Sequence, residues 1–382
     1  MAARDWQGWT AVGDHIQLGP QRRSAHCTVR EGGRAVRVLL LHGYSASNAG
    51  DGLLVTESLA LLKEALDDPI FTIVALHPAT FAGIDATVVD ATPSLRGSTP
   101  ELRAVLREID SFDLVVGVGG GYLRAGTLNE GVKTALAHGA QLRAAARRTG
   151  PTIYLPQSVG PFRGAAGIWL RRQIIRLPEI HLRDDRSIKE LSSPRAIRSP
   201  DLAVMASDTA SRMSESVDPT PIISIRSVHG RVPPRTLELA SRLGVHDAYI
   251  QSRGRGNDDV AATSLLRPRR LVSREELMGG ERRRVIVAVR LHAALMALNA
   301  GHYVVHLAYE RKGFGAYEDL GLSGYVFNVN DFNVSAIQER VLELLENVEV
   351  RDVYDRALTG AREAASNSRK ALAAAIRERA SG

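Results

Sequence analysis

The 382-residue chain is 44% hydrophobic and 24% charged, the balance of an ordinary globular protein, and its length suits two domains better than one. Aromatics make up only 5% and the net charge is +7, which argues against base stacking; with no nucleic-acid motif present, the basicity points to phosphorylated small molecules or anionic lipid, not nucleic acid. A single cysteine, Cys27, excludes an intramolecular disulfide and a Cys-rich metal site.

Residues 1–33 are mixed polar with no clean period and read as an N-terminal extension. The run AVRVLLLHG at 35–43 is continuously apolar, as a strand buried on both faces should be. LLVTESLALLKEAL at 53–66 has helical spacing, with Leu59, Leu62 and Leu66 on one stripe. FTIVAL at 71–76 reads as a strand, and 99–109 as a helix with Thr99 as N-cap and Pro100 at its first position. DLVVGVGG at 113–120 is a strand ending in glycines, and 132–150 a helix closed by Gly150. Strand-like pieces follow at 152–157, 179–184 and 196–204, and the polar stretch 207–221 is the linker candidate. The alternation restarts with a strand at 222–227, a helix near 233–243, strands at 247–252 and 285–289, a helix at 293–300, and strands at 302–309 and 324–329. Helices near 335–346 and 351–379 finish the chain.

Strands alternating with helices predict an α/β fold with mainly parallel sheets. The expected organisation is a Rossmann-like domain over 34–207, a second over 221–350 and a C-terminal helix over 351–382, with the two domains facing a cleft. No leader pattern opens the chain and no apolar run approaches the length of a membrane span, so a cytoplasmic location is expected.

In such sheets ligands bind outside the carboxyl ends of the strands. Most of the strand-end segments also have plain structural readings. GGGYLRAG after residue 118 is a common kind of glycine loop, RDDRS at 183–187 can be a helix cap, and PQSVGPF at 156–162 and RSVHG at 226–230 can be turns. VAVRLHAALMALNAG at 287–301 differs: a buried strand and a buried helix leave only Arg290-Leu291-His292 as the turn. Arg290 and His292 then stand at a helix amino end, where unpaired amides attract anions, and the arginine fork matches carboxylate or phosphate. The competing reading pairs Arg290 with a buried Asp and makes His292 a core histidine. The anion-site reading is preferred because two cationic or protonatable groups share one turn.

Several motifs occur in a fixed order. They are Asn48-Ala49-Gly50-Asp51, the strand DLVVGVGGGYL with Gly119 and Gly120, Gln157-Ser158-Val159-Gly160-Pro161, Arg183-Asp184-Asp185-Arg186-Ser187 with Pro200-Asp201, Arg290-Leu291-His292, and Tyr309-Glu310-Arg311-Lys312. In this order they resemble the polysaccharide pyruvyl transferase family. The resemblance covers about residues 36–322, with an Arg-rich stretch at 226–284 that matches poorly.

The resemblance implies a glycosyltransferase-B-like pair of domains. It also implies transfer of a pyruvyl group from phosphoenolpyruvate to two hydroxyls of a sugar, in a cell-surface polysaccharide or its precursor. No metal and no cofactor is implied beyond phosphoenolpyruvate as donor substrate. His292, Asp51 and Asp184 are then the expected catalytic residues. Arg290, Leu291, Asn48, Gly50, Gly119, Gly120, Gln157, Ser158, Arg183, Arg226, Tyr309 and Lys312 are the expected substrate-binding residues. The saccharide acceptor can be lipid-linked, which leaves room for peripheral contact with the inner face of the membrane. The alternatives are a nucleotide-sugar glycosyltransferase of the same architecture, using Glu310 or Glu318 on the donor ribose, and a non-catalytic glycan- or anion-binding protein.

Overall fold

The computed structural model describes residues 35–93, 97–206, 214–254 and 257–381. The proposed extension 1–33, Cys27 and the first part of the proposed linker, 207–213, lie outside the described residues.

The first half is built on eight strands: β1 (Arg37–Gly43), β2 (Ile70–Ala75), β3 (Thr87–Asp90), β4 (Leu114–Gly117), β5 (Gly120–Ala125), β6 (Thr152–Phe162), β7 (Ile180–Leu182) and β8 (Ala196–Arg198). The sheet runs β3-β2-β1-β4-β6-β7-β8, with β5 on the far length of β6, and every pairing is parallel. Its crossovers are α1 (Ala49–Ala65), α2 (Pro100–Arg107), α3 (Leu128–Ala145), α4 (Gly164–Ile174) and α5 (Asp185–Leu191). The continuous apolar runs in β1 and β4 follow from burial on both faces, which removes any need for polar alternation.

The second half holds β9 (Ser214–Val217), β10 (Ile222–Ser224), β11 (Asp247–Tyr249), the hairpin β12 (Arg253–Gly254) and β13 (Asn257–Asp258), β14 (Leu271–Val272), β15 (Arg282–Arg283), β16 (Val285–Ala288), β17 (Tyr303–Ala308) and β18 (Val326–Asn328). Six of them form a parallel sheet in the order β14-β11-β10-β16-β17-β18, while β9 pairs with β15. The helices are α6 (Pro234–Leu243), α7 (Val260–Ser264), α8 (Arg274–Gly279), α9 (Leu291–Asn299), α10 (Arg311–Asp319), α11 (Val334–Glu346) and α12 (Val348–Ser381). Among the described residues no helix is long and apolar enough to cross a membrane.

Both sheets reverse their strand order once, between β1 and β4 and between β10 and β16. The crevice outside those strand ends is where doubly wound sheets bind ligands. α12 crosses back to the first half, where Arg369 reaches Glu57 at 3.0 Å and Glu64 at 2.8 Å and Arg377 donates to the Ala65 carbonyl at 3.1 Å. One face of the first sheet shares an apolar cluster with the second half through α1, α9 and α12; the opposite face has its own.

Two expectations are corrected. PQSVGPF is no turn, because β6 continues through Phe162, and GGGYLRAG is no loop, because β5 pairs with that continuation at Gly120–Gln157, Leu123–Val159 and Ala125–Phe162. Leu123, Ala125 and Val159 are buried by this pairing. Gly119 makes the step between β4 and β5 possible: a Cβ there would lie 2.6 Å from the Pro156 carbonyl oxygen. The strand expected at 196–204 is also short, ending at Arg198, after which Asp201 caps a turn by accepting from the Ala203 amide at 2.9 Å.

Buried histidines give the fold a pH dependence. Burial lowers His138, His302 and His306 to about 4 and lowers His42 as well. His302 accepts from the Arg284 amide at Nδ1 and donates to the Leu277 carbonyl from Nε2, so a second proton would break the first bond. Since the folded-state values lie below the unfolded one, the unfolded chain binds more protons between them. Their contribution is therefore intact above about pH 6.5 and lost as pH falls towards about 4, at up to about 1.4 kcal/mol per pH unit per histidine. Urea midpoints at pH 7.5, 6 and 5 should fall steadily; a flat series contradicts this reading.

Candidate functional site

The carboxyl ends of β1 and β4 open into a cavity of about 230 Å³. His42, Tyr44, Tyr122, His138, Asp51, Lys312 and the Gly119–Gly121 backbone line it. His42, next to last in β1, has a positive φ of 71°, a conformation a side chain rarely adopts. Its ring is held by the Tyr154 hydroxyl at 2.9 Å and His138 Nδ1 at 3.3 Å.

Asn48 caps α1, accepting from the Gly50 amide at 3.2 Å, and its Nδ2 donates to Asp51 Oδ2 at 2.7 Å. Burial raises the Asp51 carboxyl, against the opposing pull of Lys312, Asn48, Arg290 and Arg183. Asn48 also bridges to Ser252 of the second half and lies 3.5 Å from Gln251 Nε2. Gly50 is needed for close approach, since a Cβ there would lie 2.1 Å from His292 Nδ1. In a helical first turn, Gly→Ala normally stabilises by about 0.5–1 kcal/mol. Here the expected sign is reversed: Gly50→Ala should cost about 1–3 kcal/mol because the His292 ring must give way. Urea unfolding measures it, and a stabilised variant would refute the packing.

A second cavity, of about 340 Å³, adjoins the first through Gly121 and Lys312. Arg124, Ser158, Arg183, Arg186, Tyr309 and Arg311 are among its lining. Arg183 is buried, donates from Nε to Ser158 Oγ at 2.9 Å and pairs with Asp201. Burial works against the Asp201 charge, but Arg183 and its other partners hold the carboxyl below its ordinary value.

Asp184, expected to be catalytic, has the capping role. Its Oδ1 accepts from the Ser187 amide at 2.8 Å and its Oδ2 from Ser158 Oγ at 2.6 Å. It holds the cavity wall in place, with both oxygens engaged. Gln157, expected to bind substrate, is fully buried in β6, where its Nε2 donates to the Leu155 carbonyl at 3.4 Å.

From the second half, Arg290 follows β16 and forms a bidentate pair with Asp259, Nε–Oδ2 2.5 Å and Nη2–Oδ1 2.7 Å. This is the competing, buried-Asp reading of Arg290, and it corrects the expectation that the fork faces the ligand. Leu291 is also corrected: it is 4% exposed and part of the apolar cluster. Arg226 donates to the Tyr309 hydroxyl at 2.7 Å and lies over its ring at 4.9 Å. Lys312 is 3.1 Å from Glu310, and Glu310 is 4.0 Å from Arg124. Glu310 is thus committed to cations, and Glu318 lies on the exposed side of α10, so neither matches the ribose role considered for it.

His292 stands in the first turn of α9. Burial first, with Lys312, Arg183 and Arg290 adding to it, lowers its pKa to about 3 against the pull of Asp201. It is therefore neutral at pH 7 in the unliganded protein. Its Nε2 is buried with no hydrogen-bond partner among the described residues, so it is not the satisfied core histidine.

Asp51, Arg183, Asp201, Arg290, His292 and Lys312 thus come within electrostatic reach of one another. Sequence reasoning missed His42, Tyr44, Tyr122 and His138, and also Asp259 and Gln251 from the poorly matching stretch. His138 was the most findable, as an imidazole on the buried stripe of α3.

Comparison with known proteins agrees with the fold. The chain aligns with a UDP-N-acetylglucosamine 2-epimerase homologue from Listeria monocytogenes at 12% identity and TM-score 0.53, over 90% of this chain and 98% of the other. It aligns with the glycosyltransferase of kitacinnamycin at 14% identity and TM-score 0.52, over 91% and 100%. For a Glycyrrhiza uralensis glycosyltransferase the values are 10% and 0.50, over 91% and 96%. At these identities the likeness concerns the fold, two Rossmann-like domains in the glycosyltransferase-B arrangement. No curated protein matches the chain. The family model for polysaccharide pyruvyl transferases matches residues 48–272, more than half of the chain and all of the first-half motifs. The protein belongs to the polysaccharide pyruvyl transferase family.

Proposed function

We propose that this transferase moves a pyruvyl group from phosphoenolpyruvate to two hydroxyls of a sugar, in a cell-surface polysaccharide or its precursor. The observation that carries the reading is the gathering of Arg124, Arg183, Arg186, Arg311 and Lys312 around one cavity at the amino end of α10. α9 and α10 follow adjacent strands and both begin without a side-chain cap. Acids usually occupy that turn. Here α9 opens on Arg290, paired with Asp259, and the neutral His292, while α10 opens on Glu310 followed by Arg311 and Lys312. With Arg124, Arg183 and Arg186 across the cavity, such a site suits a compact polyanion.

In the proposed reaction the methylene carbon of the donor gains a proton, and a sugar oxygen bonds to the enol carbon as the proton of that hydroxyl passes to a carboxylate base. The carbon–oxygen bond to phosphate breaks, and the second hydroxyl closes the ketal as its proton passes to the departing phosphate. Arg183 and Lys312 balance the donor charge. His292 is neutral until a phosphate beside it raises its pKa, after which the imidazolium serves as the acid. Asp51, with a raised carboxyl on the wall of the first cavity, orients the first acceptor hydroxyl and takes its proton.

Thermal unfolding with ligand tests the donor. Phosphoenolpyruvate at 100 times its Kd should stabilise the protein by about 2.7 kcal/mol. Stabilisation by UDP-sugars and not by phosphoenolpyruvate would overturn the assignment.

A further inference from the structure

The outer faces of α3 and α4 have no role in the cleft. On α3, Leu128, Val132 and Leu136 are 79%, 47% and 67% exposed and follow one another at four-residue spacing. Residues so spaced share one face of a helix. α4 packs against α3, with Gly131 against Ala166 and Gly139 against Trp169, and leaves Ile168 53% exposed. Large exposed apolar side chains in one area mark an interaction surface.

The same two faces are strongly one-signed. Between Leu128 and Pro178 the only acid is Glu130, which pairs with Arg124 at 2.6 Å. Lys133, Arg143, Arg147, Arg163, Arg172 and Arg176 are all exposed on this stretch. On α3 Lys133 lies beside the apolar residues and Arg143 and Arg147 follow them; on α4 Arg163 precedes Ile168 and Arg172 and Arg176 follow it. Arg143 and Arg147 continue into a groove of about 420 Å³ with Arg107 and one acid, Asp110. An apolar strip ringed by cations is how a helix lies in an interface of anionic lipid. A second copy of the chain is a poorer occupant, because a two-fold interface sets the patch against itself and its cations against cations.

We infer that the α3–α4 face docks on an anionic membrane surface, Leu128, Leu136 and Ile168 entering the apolar boundary while the arginines meet lipid phosphates. α3 starts at the rim of the basic cavity, where Glu130 of its first turn holds Arg124. Docking there brings the cleft to the bilayer surface, within reach of a saccharide carried on lipid. The inference stands without the donor assignment, because vesicle binding is measured with no donor present.

The test is co-sedimentation of the full chain with phosphatidylcholine vesicles, with and without phosphatidylglycerol. Binding is expected only with the anionic lipid and should weaken as salt rises. The triple variant Leu128→Ser, Leu136→Ser, Ile168→Ser should keep its melting temperature, since all three side chains are exposed, and lose vesicle affinity by roughly tenfold or more. No binding to anionic vesicles, equal binding to neutral ones, or unchanged binding by a folded triple variant overturns the inference. So does a wild-type dimer in sedimentation velocity that the triple variant splits, which assigns the face to a second copy.

Discussion

Asp259→Ala should destabilise the protein by about 3–5 kcal/mol, the usual cost of breaking a buried ion pair by removing one member. The side chains of Arg290 and Asp259 are only 6% and 2% exposed, and the carboxylate meets the guanidinium through both oxygens. Without it, Arg290 keeps its charge in a place with little access to water. Arg290→Lys is expected to fail differently: the charge survives, but an ammonium cannot reproduce two parallel bonds. Stability should fall and turnover nearly vanish, because Arg290 also acts on Asp51 and His292 through space. Urea unfolding and steady-state kinetics on folded protein separate the two effects. The double variant Asp259→Leu, Arg290→Met replaces the pair by apolar groups and should recover much of the stability but not the activity. Recovery of both would reduce the pair to a structural part.

His292→Gln should lower turnover by about 10²–10⁴, the range for loss of a general acid, with little change in donor affinity or melting temperature. Stability should hold because Nε2 has no partner to lose. If His292 instead binds donor phosphate, affinity weakens in step with rate. If it is only packing, the melting temperature drops and turnover per folded molecule stays normal. A pH signature adds to this: kcat/KM reports groups of the free enzyme, where His292 sits at about 3. No acid limb near pH 6.5 should therefore belong to it, and a limb there that disappears in His292→Gln contradicts the account. Calorimetry, melting and a pH series on both proteins settle the matter.

The architecture was legible because parallel strands buried on both faces have to be continuous apolar runs. β1, β4, β16 and β17 announced themselves in that way. Strand-end chemistry was legible for the same reason, since a cation beside such a run has few places to go. The fine assignment was not. A strand such as the far half of β6, written QSVGPF, contains glycine and proline and reads as a turn; only its partner β5 makes it a strand. Asp259 follows a two-stranded hairpin of two-residue strands, too short for any period, and its tie to Arg290 spans 31 residues. His42 looked like a strand residue and depends on a positive φ and on His138 from a distant helix. Asp184 illustrates the reverse, since its capping geometry was written in the local sequence and the family resemblance drew it into catalysis.

The central claim is best tested by phosphate release from phosphoenolpyruvate across a panel of acceptor glycans, with mass analysis of the products. The account predicts release that depends on one class of acceptor, a product carrying one pyruvate ketal, and loss of both in His292→Gln. Release of nucleotide from a UDP-sugar donor with no phosphate from phosphoenolpyruvate, or donor binding with no turnover on any acceptor, would contradict it.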